Sequence, residues 1–196
     1  MVVGLTGGIG SGKSTVANFF KAFNNVAVYI ADKEAKKLMA NSQTIKTELI
    51  ALFGEKAYVN NVLNRDFISA IVFKDKQKLK QLNAIVHPEV KKHFKIFVTQ
   101  NKNKAYIIYE SAILFESNSQ DQFDVVISVC LDLESRIKRV IARDNTSRKK
   151  VLARINNQWQ DAKKTLLSNY LITNTVLEDT KTQVNSIHKI LTKRRA

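Results

Sequence analysis

The stretch Gly7-Gly8-Ile9-Gly10-Ser11-Gly12-Lys13-Ser14 decides how this chain is read. It has the spacing Gly-x4-Gly-Lys-Ser, the pattern of a phosphate-binding loop between a strand and a helix. Each residue type has a physical reason. Glycines let the backbone turn so that successive N–H groups point inward around phosphate oxygens. Gly8, Gly10, Ser11 and Gly12 are the candidate cradle. The helix that follows starts at the loop, and its N-terminus favours negative charge. Lys13 brings a mobile positive charge to the β- and γ-phosphates, and the Ser14 hydroxyl is placed to ligate Mg²⁺. Thr15 is the next hydroxyl and is expected to reach the α-phosphate. The expected ligand is a nucleoside triphosphate, ATP with Mg²⁺. Five of the six glycines fall in the first twelve residues. That concentration marks a local demand for unusual backbone.

Working outward, Val2–Thr6 reads as a short buried strand. A helical pattern over 14–23 puts Val16, Phe19, Phe20 and Phe23 on one face. Further strands are expected at Val26–Ile30, 105–109, 125–131 and 169–172. Helices are expected over 45–53, 66–73, 77–86, 88–100, about 133–143, 147–157 and 160–168, with a last one ending near 193. Pro88 suits the first position of its helix. Strands alternating with helices imply an α/β, three-layer fold with a mostly parallel five-stranded sheet covered on both faces. The chain reads as one domain. Its nucleotide-binding core covers about 1–31, 104–135 and 168–196, a helical acceptor-binding region about 32–103, and a lid about 136–167.

A chain of 196 residues can bury a substantial core without disulfides or metals. Its single cysteine, Cys130, fits a reducing compartment, and the cytoplasm is the expected location. The opening MVVGLTGG has no basic start and no long apolar run, so no signal peptide is expected. No stretch approaches the roughly 20 apolar residues that span a bilayer. The net charge of +15 admits two readings, a polyanionic ligand or a lysine-rich solvated surface. There is no helix–turn–helix signature, no aromatic stacking motif and no basic tail beyond Lys193-Arg194-Arg195, so nucleic acid is not an expected partner. A monomer or weak homo-oligomer is expected.

A kinase needs an acceptor site, a positioning base and a lid that excludes water. Asp32 lies just past the second strand, on the sheet edge from which the loop leaves. A carboxylate there serves either as a general base or as a helix N-cap. A basic cluster runs from Arg136 through Lys138, Arg139, Arg143, Arg148, Lys149 and Lys150 to Arg154. Arg136, Arg139 and Arg143 share one helix face, and Asp144-Asn145-Thr146-Ser147 reads as a break and recap. An arginine-rich hairpin suits a phosphate lid, and a solvated basic helix is the other reading. Glu110 or Glu116 is placed to partner Mg²⁺ through water. His87 either contacts substrate or caps a helix. Trp159 and Cys130 read as packing residues. The rival functions are another small-molecule kinase, such as a nucleoside or nucleotide kinase, a nucleotide-dependent nucleic-acid binder, and a non-catalytic ATP-binding regulator.

The opening VGLTGGIGSGKSTVANFF closely resembles the dephospho-CoA kinase family, and the resemblance runs over nearly the whole chain. It includes Ile30-Ala31-Asp32, Arg65-Asp66-Phe67 with Ile71-Val72-Phe73, Leu82 through His87-Pro88, Ile113-Leu114-Phe115-Glu116, and Arg139-x3-Arg143-Asp144 with Ser147-Arg148. Gln158 and Asn169-Tyr170-Leu171-Ile172-Thr173-Asn174 complete it. Ile30, Ala112, Ser147 and Asn169 depart from the family's usual residues without removing a catalytic group. The resemblance implies transfer of the ATP γ-phosphate to the ribose 3′-hydroxyl of dephospho-CoA. It implies Asp32 as the base, Lys13, Arg139 and Arg143 as catalytic cations, and Asn174 near the adenine. Asp32, Arg65, His87, Glu110 and Leu114 would hold the acceptor.

Overall fold

The computed structural model describes residues 1–194; Arg195 of the basic tail lies outside them. The chain opens with β1 (Val2–Thr6), α1 (Lys13–Lys21) and β2 (Val26–Ile30). After a helical segment it returns as β5 (Tyr106–Glu110) and β6 (Val125–Cys130). Helices α6 (Leu133–Asp144), α7 (Arg148–Asn156) and α8 (Asp161–Leu166) follow, then β7 (Tyr170–Thr173) and α9 (Leu177–Lys193). The five strands form one sheet in the order β2-β5-β1-β6-β7, and every pairing is parallel. The expected α/β fold with a mostly parallel five-stranded sheet is thus the one observed.

A parallel sheet covered on both faces needs apolar residues at nearly every position. β1 (VVGLT) and β6 (VVISVC) meet that demand, and only one residue of each is less than fully buried. α1 lays Val16, Ala17 and Phe20 on Val3, Leu5, Ile108, Ile127 and Val184, all without solvent exposure. From β1 the chain crosses to β2 on one side of the sheet. From β6 it crosses to β7 on the other. The C-terminal ends of β1 and β6 therefore flank a switch point, where open α/β sheets bind ligands.

By contact density the chain divides into two compact units. The sheet with α1 and α6 to α9 makes the first, from Met1–Ile30 and from Asn101 onward. The second spans Ala31–Gln100. It holds α2 (Ala31–Asn41), α3 (Gln43–Phe53), a small antiparallel pair β3 (Tyr58–Val59) and β4 (Val62–Leu63), α4 (Arg65–Val72) and α5 (Lys76–Gln100). Ser42 and Asn64 cap α3 and α4 by accepting from Ile45 N and Phe67 N. Ala31, Ile45, Leu49, Ala57, Tyr58, Ile68, Val86 and Val90 are its buried hydrophobic residues.

Two local expectations are corrected. The pair β3–β4 was not expected in a segment read as helical. It turns at Asn60 and Asn61, whose φ values of 49° and 65° suit a type I′ hairpin. Pro88 was expected to start a helix, but α5 runs through it for 25 residues. Proline removes one rung by lacking an N–H, and helix on both sides carries the element across the gap.

Candidate active site

The loop leaves β1 at Gly7 and α1 begins at Lys13. Gly12 is the N-cap, at φ 92° and ψ 26°, and no side chain caps the helix. A Cβ there would also run into the Asn174 amide, so conformation and close approach both demand glycine. A cavity of about 370 Å³ opens at this helix end, lined by Gly10, Gly12, Lys13, Ser14, Thr15, Arg139, Val140, Arg143, Asn174 and Leu177. It brings together the loop and α6, the two elements that flank the switch point. Three cations line it, which suits a polyphosphate.

Lys13 donates its ammonium to the carbonyls of Gly7 (2.9 Å) and Gly8 (3.2 Å). Ser14 is exposed and Thr15 half-buried on the cavity wall. Ser11 is fully buried; its N–H donates to Gly8 O at 3.1 Å, and its hydroxyl has no partner among the described residues. Its side chain therefore lies inside the loop. Gly8 is buried as well and closes the loop through that same carbonyl.

Asn174 lines the cavity but spends its amide on the protein. Nδ2 donates to Ser11 O (2.8 Å), and Oδ1 accepts from Thr180 Oγ1 (3.0 Å). It therefore braces the loop while standing on the cavity wall, where its expected place is near the adenine. Arg139 donates to the Asn174 backbone carbonyl at 3.0 Å and lines the cavity.

Arg143 also lines the cavity and is paired with Asp144, Nε at 2.7 Å and Nη2 at 3.1 Å. Asp144 further accepts from Arg154 at 2.8 Å. Arg143 foremost, then Arg154, hold its carboxyl down at about 2. Asp132 and Ser147 cap α6 and α7, and Asn145 ends α6 in the left-handed region at φ 46°. The 144–147 segment is thus the expected break and recap.

Arg136 is not on the phosphate side. It is 4% exposed, donates Nε to Ile9 O at 2.8 Å, and pairs through Nη1 with Asp161. The expected grip on phosphate is corrected, because its guanidinium is consumed beneath the loop. Asp161 carried no signal of its own in the sequence.

Glu110 ends β5, in register with Leu5 of β1, and is buried. It therefore stands at the strand edge from which the loop leaves. The Leu114 side chain is fully buried, packed with Phe115, Val126 and the partly buried Phe123. Glu116 is claimed by structure too. One oxygen accepts from Trp159 N (2.9 Å) and pairs with the buried Lys164 (2.7 Å), whose ammonium also reaches Ala112 O at 3.2 Å. Phe115 and Trp159 stack 6.2 Å apart, 7° from parallel.

Asp32, Arg65 and His87 belong to the second unit. α2 begins at Ala31, so Asp32 lies inside the first turn and is exposed; it is not the N-cap. Arg65 is the first, exposed residue of α4. His87 is exposed as a residue, but its imidazole is partly shielded by protein. That shielding lowers its pKa, and the nearby Asp32 charge pulls the other way.

The residues present fit Mg²⁺ in one way. Among the described residues no group of three or more His, Cys, Asp or Glu side chains is placed to hold a metal ion. The Ser14 hydroxyl is a hard oxygen donor at the phosphate end, and Mg²⁺ characteristically takes its remaining ligands from phosphates and water. Among the described residues no helix is long and apolar enough to cross a membrane.

Comparison with known proteins agrees with this geometry. The dephospho-CoA kinase family matches residues 1–179. A Bacteroides fragilis dephospho-CoA kinase is 37% identical over 172 residues, covering 88% of this chain and 83% of its own. A gamma-proteobacterial dephospho-CoA kinase is 36% identical over 191 residues, 96% of this chain and 95% of its own. A Thermus thermophilus crystal structure superimposes with a TM-score of 0.85 at 31% identity, covering 98% of this chain and 97% of the other. With its loop, sheet order and cationic cavity in place, the chain belongs to the dephospho-CoA kinase family.

Proposed function

We propose that this chain transfers the γ-phosphoryl group of ATP to the ribose 3′-hydroxyl of dephospho-CoA, giving CoA and ADP. The observation that carries the donor half is the cavity in which the N-terminus of α1, Lys13, Arg139 and Arg143 converge. The acceptor comes from the family match over residues 1–179. In the transfer, the bond from the γ-phosphorus to the β,γ-bridging oxygen breaks and a bond to the 3′-oxygen forms. The hydroxyl proton passes to the Asp32 carboxylate. The transition state is loose and spreads charge over three equatorial oxygens, so positioning and cations do most of the catalysis. Lys13 leaves the Gly7 and Gly8 carbonyls for the β- and γ-phosphates. Arg139 meets the developing charge, and Arg143 joins it by leaving Asp144. Ser14 would hold Mg²⁺ together with the phosphates, and the ion would supply charge neutralisation there. Glu110, at the strand edge, orients water on that side. Arg65 and His87 position the acceptor.

The test is ATP-dependent ADP formation with a panel of acceptors: dephospho-CoA, nucleosides, nucleotides and pantetheine derivatives. Dephospho-CoA should be preferred by orders of magnitude in kcat/KM. Equal rates across the panel would defeat the acceptor assignment. Asp32→Asn should lower kcat by roughly 10²-fold or more, the range for losing a general base, with ATP binding retained.

A further inference from the structure

Ile9 is the one residue in the middle of the phosphate loop with a large side chain, and both halves of its backbone are held by side chains from far along the sequence. Its N–H donates to Gln158 Oε1 at 2.8 Å, across 149 residues. Its carbonyl accepts from Arg136 Nε at 2.8 Å, across 127 residues. Arg136 is locked in turn by its ion pair with Asp161, the first residue of α8. The guanidinium lies so close beneath Gly8 that a Cβ there would collide with it. The Ile9 side chain packs on Ile137, Val140 and Val151 of α6 and α7. Arg136 sits near the start of α6 and Gln158 just past the end of α7. The two feet of the arginine hairpin thus grip the same residue, through the two peptide units on either side of it.

We infer that Arg136, Asp161 and Gln158 are positioning residues for ATP, fixing the two peptide units around Ile9 so that the loop's N–H groups converge on the triphosphate. The physical case rests on cost. A glycine-rich loop has many backbone states, and ordering it on binding costs affinity. Holding the two central peptide units, one on each side of Ile9, removes much of that cost before ATP arrives. None of the three needs to touch the nucleotide. The ion pair is also well suited to a rigid role. Arg136 is 5% exposed and Asp161 28% as side chains, so water competes little for the guanidinium.

The inference rests on the loop being the ATP site, and the test separates the two. Direct titration with ATP in the presence of Mg²⁺, together with steady-state kinetics, is run on the full chain and on Gln158→Leu, Arg136→Met and Asp161→Asn. Failure of the unmodified chain to bind ATP would sink the site reading itself. If it binds, Gln158→Leu should raise both the ATP dissociation constant and KM(ATP) about tenfold, which is about 1.4 kcal/mol. KM for dephospho-CoA should stay within twofold and Tm within a few degrees. Asp161→Asn keeps an oxygen acceptor for Arg136 and should fall between the unmodified chain and Arg136→Met. Arg136→Met leaves a carboxylate unpaired; if it does not fold, Gln158→Leu and Asp161→Asn decide. ATP affinity within twofold of the unmodified chain in both, or equal rises in KM for both substrates, would overturn the inference.

Discussion

Asn174 donates its side-chain amide to the carbonyl oxygen of Ser11, 2.8 Å away and 163 residues earlier in the chain. Thr180 fixes which way that amide faces, because its hydroxyl donates to Oδ1 at 3.0 Å. The end of β7 is thereby tied to the turn of the phosphate loop. Asn174→Asp replaces the donor with a carboxylate aimed at a carbonyl, in a site 3% exposed. Leaving that carbonyl without its donor costs about 1–3 kcal/mol. KM(ATP) should rise roughly 5- to 150-fold by the usual tenfold per 1.4 kcal/mol, with KM for dephospho-CoA little changed. Steady-state kinetics with each substrate varied in turn checks this, and an unchanged KM(ATP) would remove Asn174 from the loop's support.

Lys164 is 1% exposed and paired with Glu116. Removing one member of a buried pair strands the other charge, at about 3–5 kcal/mol. Lys164→Met should therefore lower Tm by roughly 6–20 °C, given about 2–4 °C per kcal/mol for a chain of this size. The double variant Lys164→Met with Glu116→Leu should recover most of the loss, since neither charge is then buried. Calorimetry of the three proteins decides; a double variant no better than the single would contradict the pairing.

His87 has its imidazole pKa lowered by burial, with Asp32 opposing. The folded protein then binds a proton at His87 less readily than the unfolded chain does. Stability is fully present above the unfolded value of about 6.5 and declines as pH falls below it. NMR titration should place His87 below 6.5 and lower still in Asp32→Asn, because the opposing charge is gone. No change on Asp32→Asn would mean the two side chains are not within electrostatic reach.

The phosphate loop was readable because its geometry is imposed locally. Gly12 at φ 92° is a demand of one residue's own backbone, and such demands are written into residue type. The parallel sheet was readable for a similar reason, since β1 and β6 must be apolar throughout. What was hidden involves distant partners. Nothing adjacent to Arg136 marks it as an ion pair with Asp161 rather than a phosphate ligand; spacing gives a helix face, and only packing says what that face meets. Leu114 shows the same limit, for an apolar residue in a recognisable run is equally at home in a pocket or a core. Pro88 misled because proline's usual helical place is the first position, and the tertiary packing of α5 carried the helix through it. The turn at Asn60-Asn61 did carry a signal, two residues that tolerate positive φ between Tyr58-Val59 and Val62-Leu63.

The most direct measurement of the central claim is ³¹P NMR of the products formed from ATP, Mg²⁺ and dephospho-CoA. The account predicts a new phosphomonoester on the ribose 3′-oxygen appearing in step with ADP, absent with Lys13→Ala. ADP accompanied only by inorganic phosphate, or a phosphoester at any other position, would contradict it.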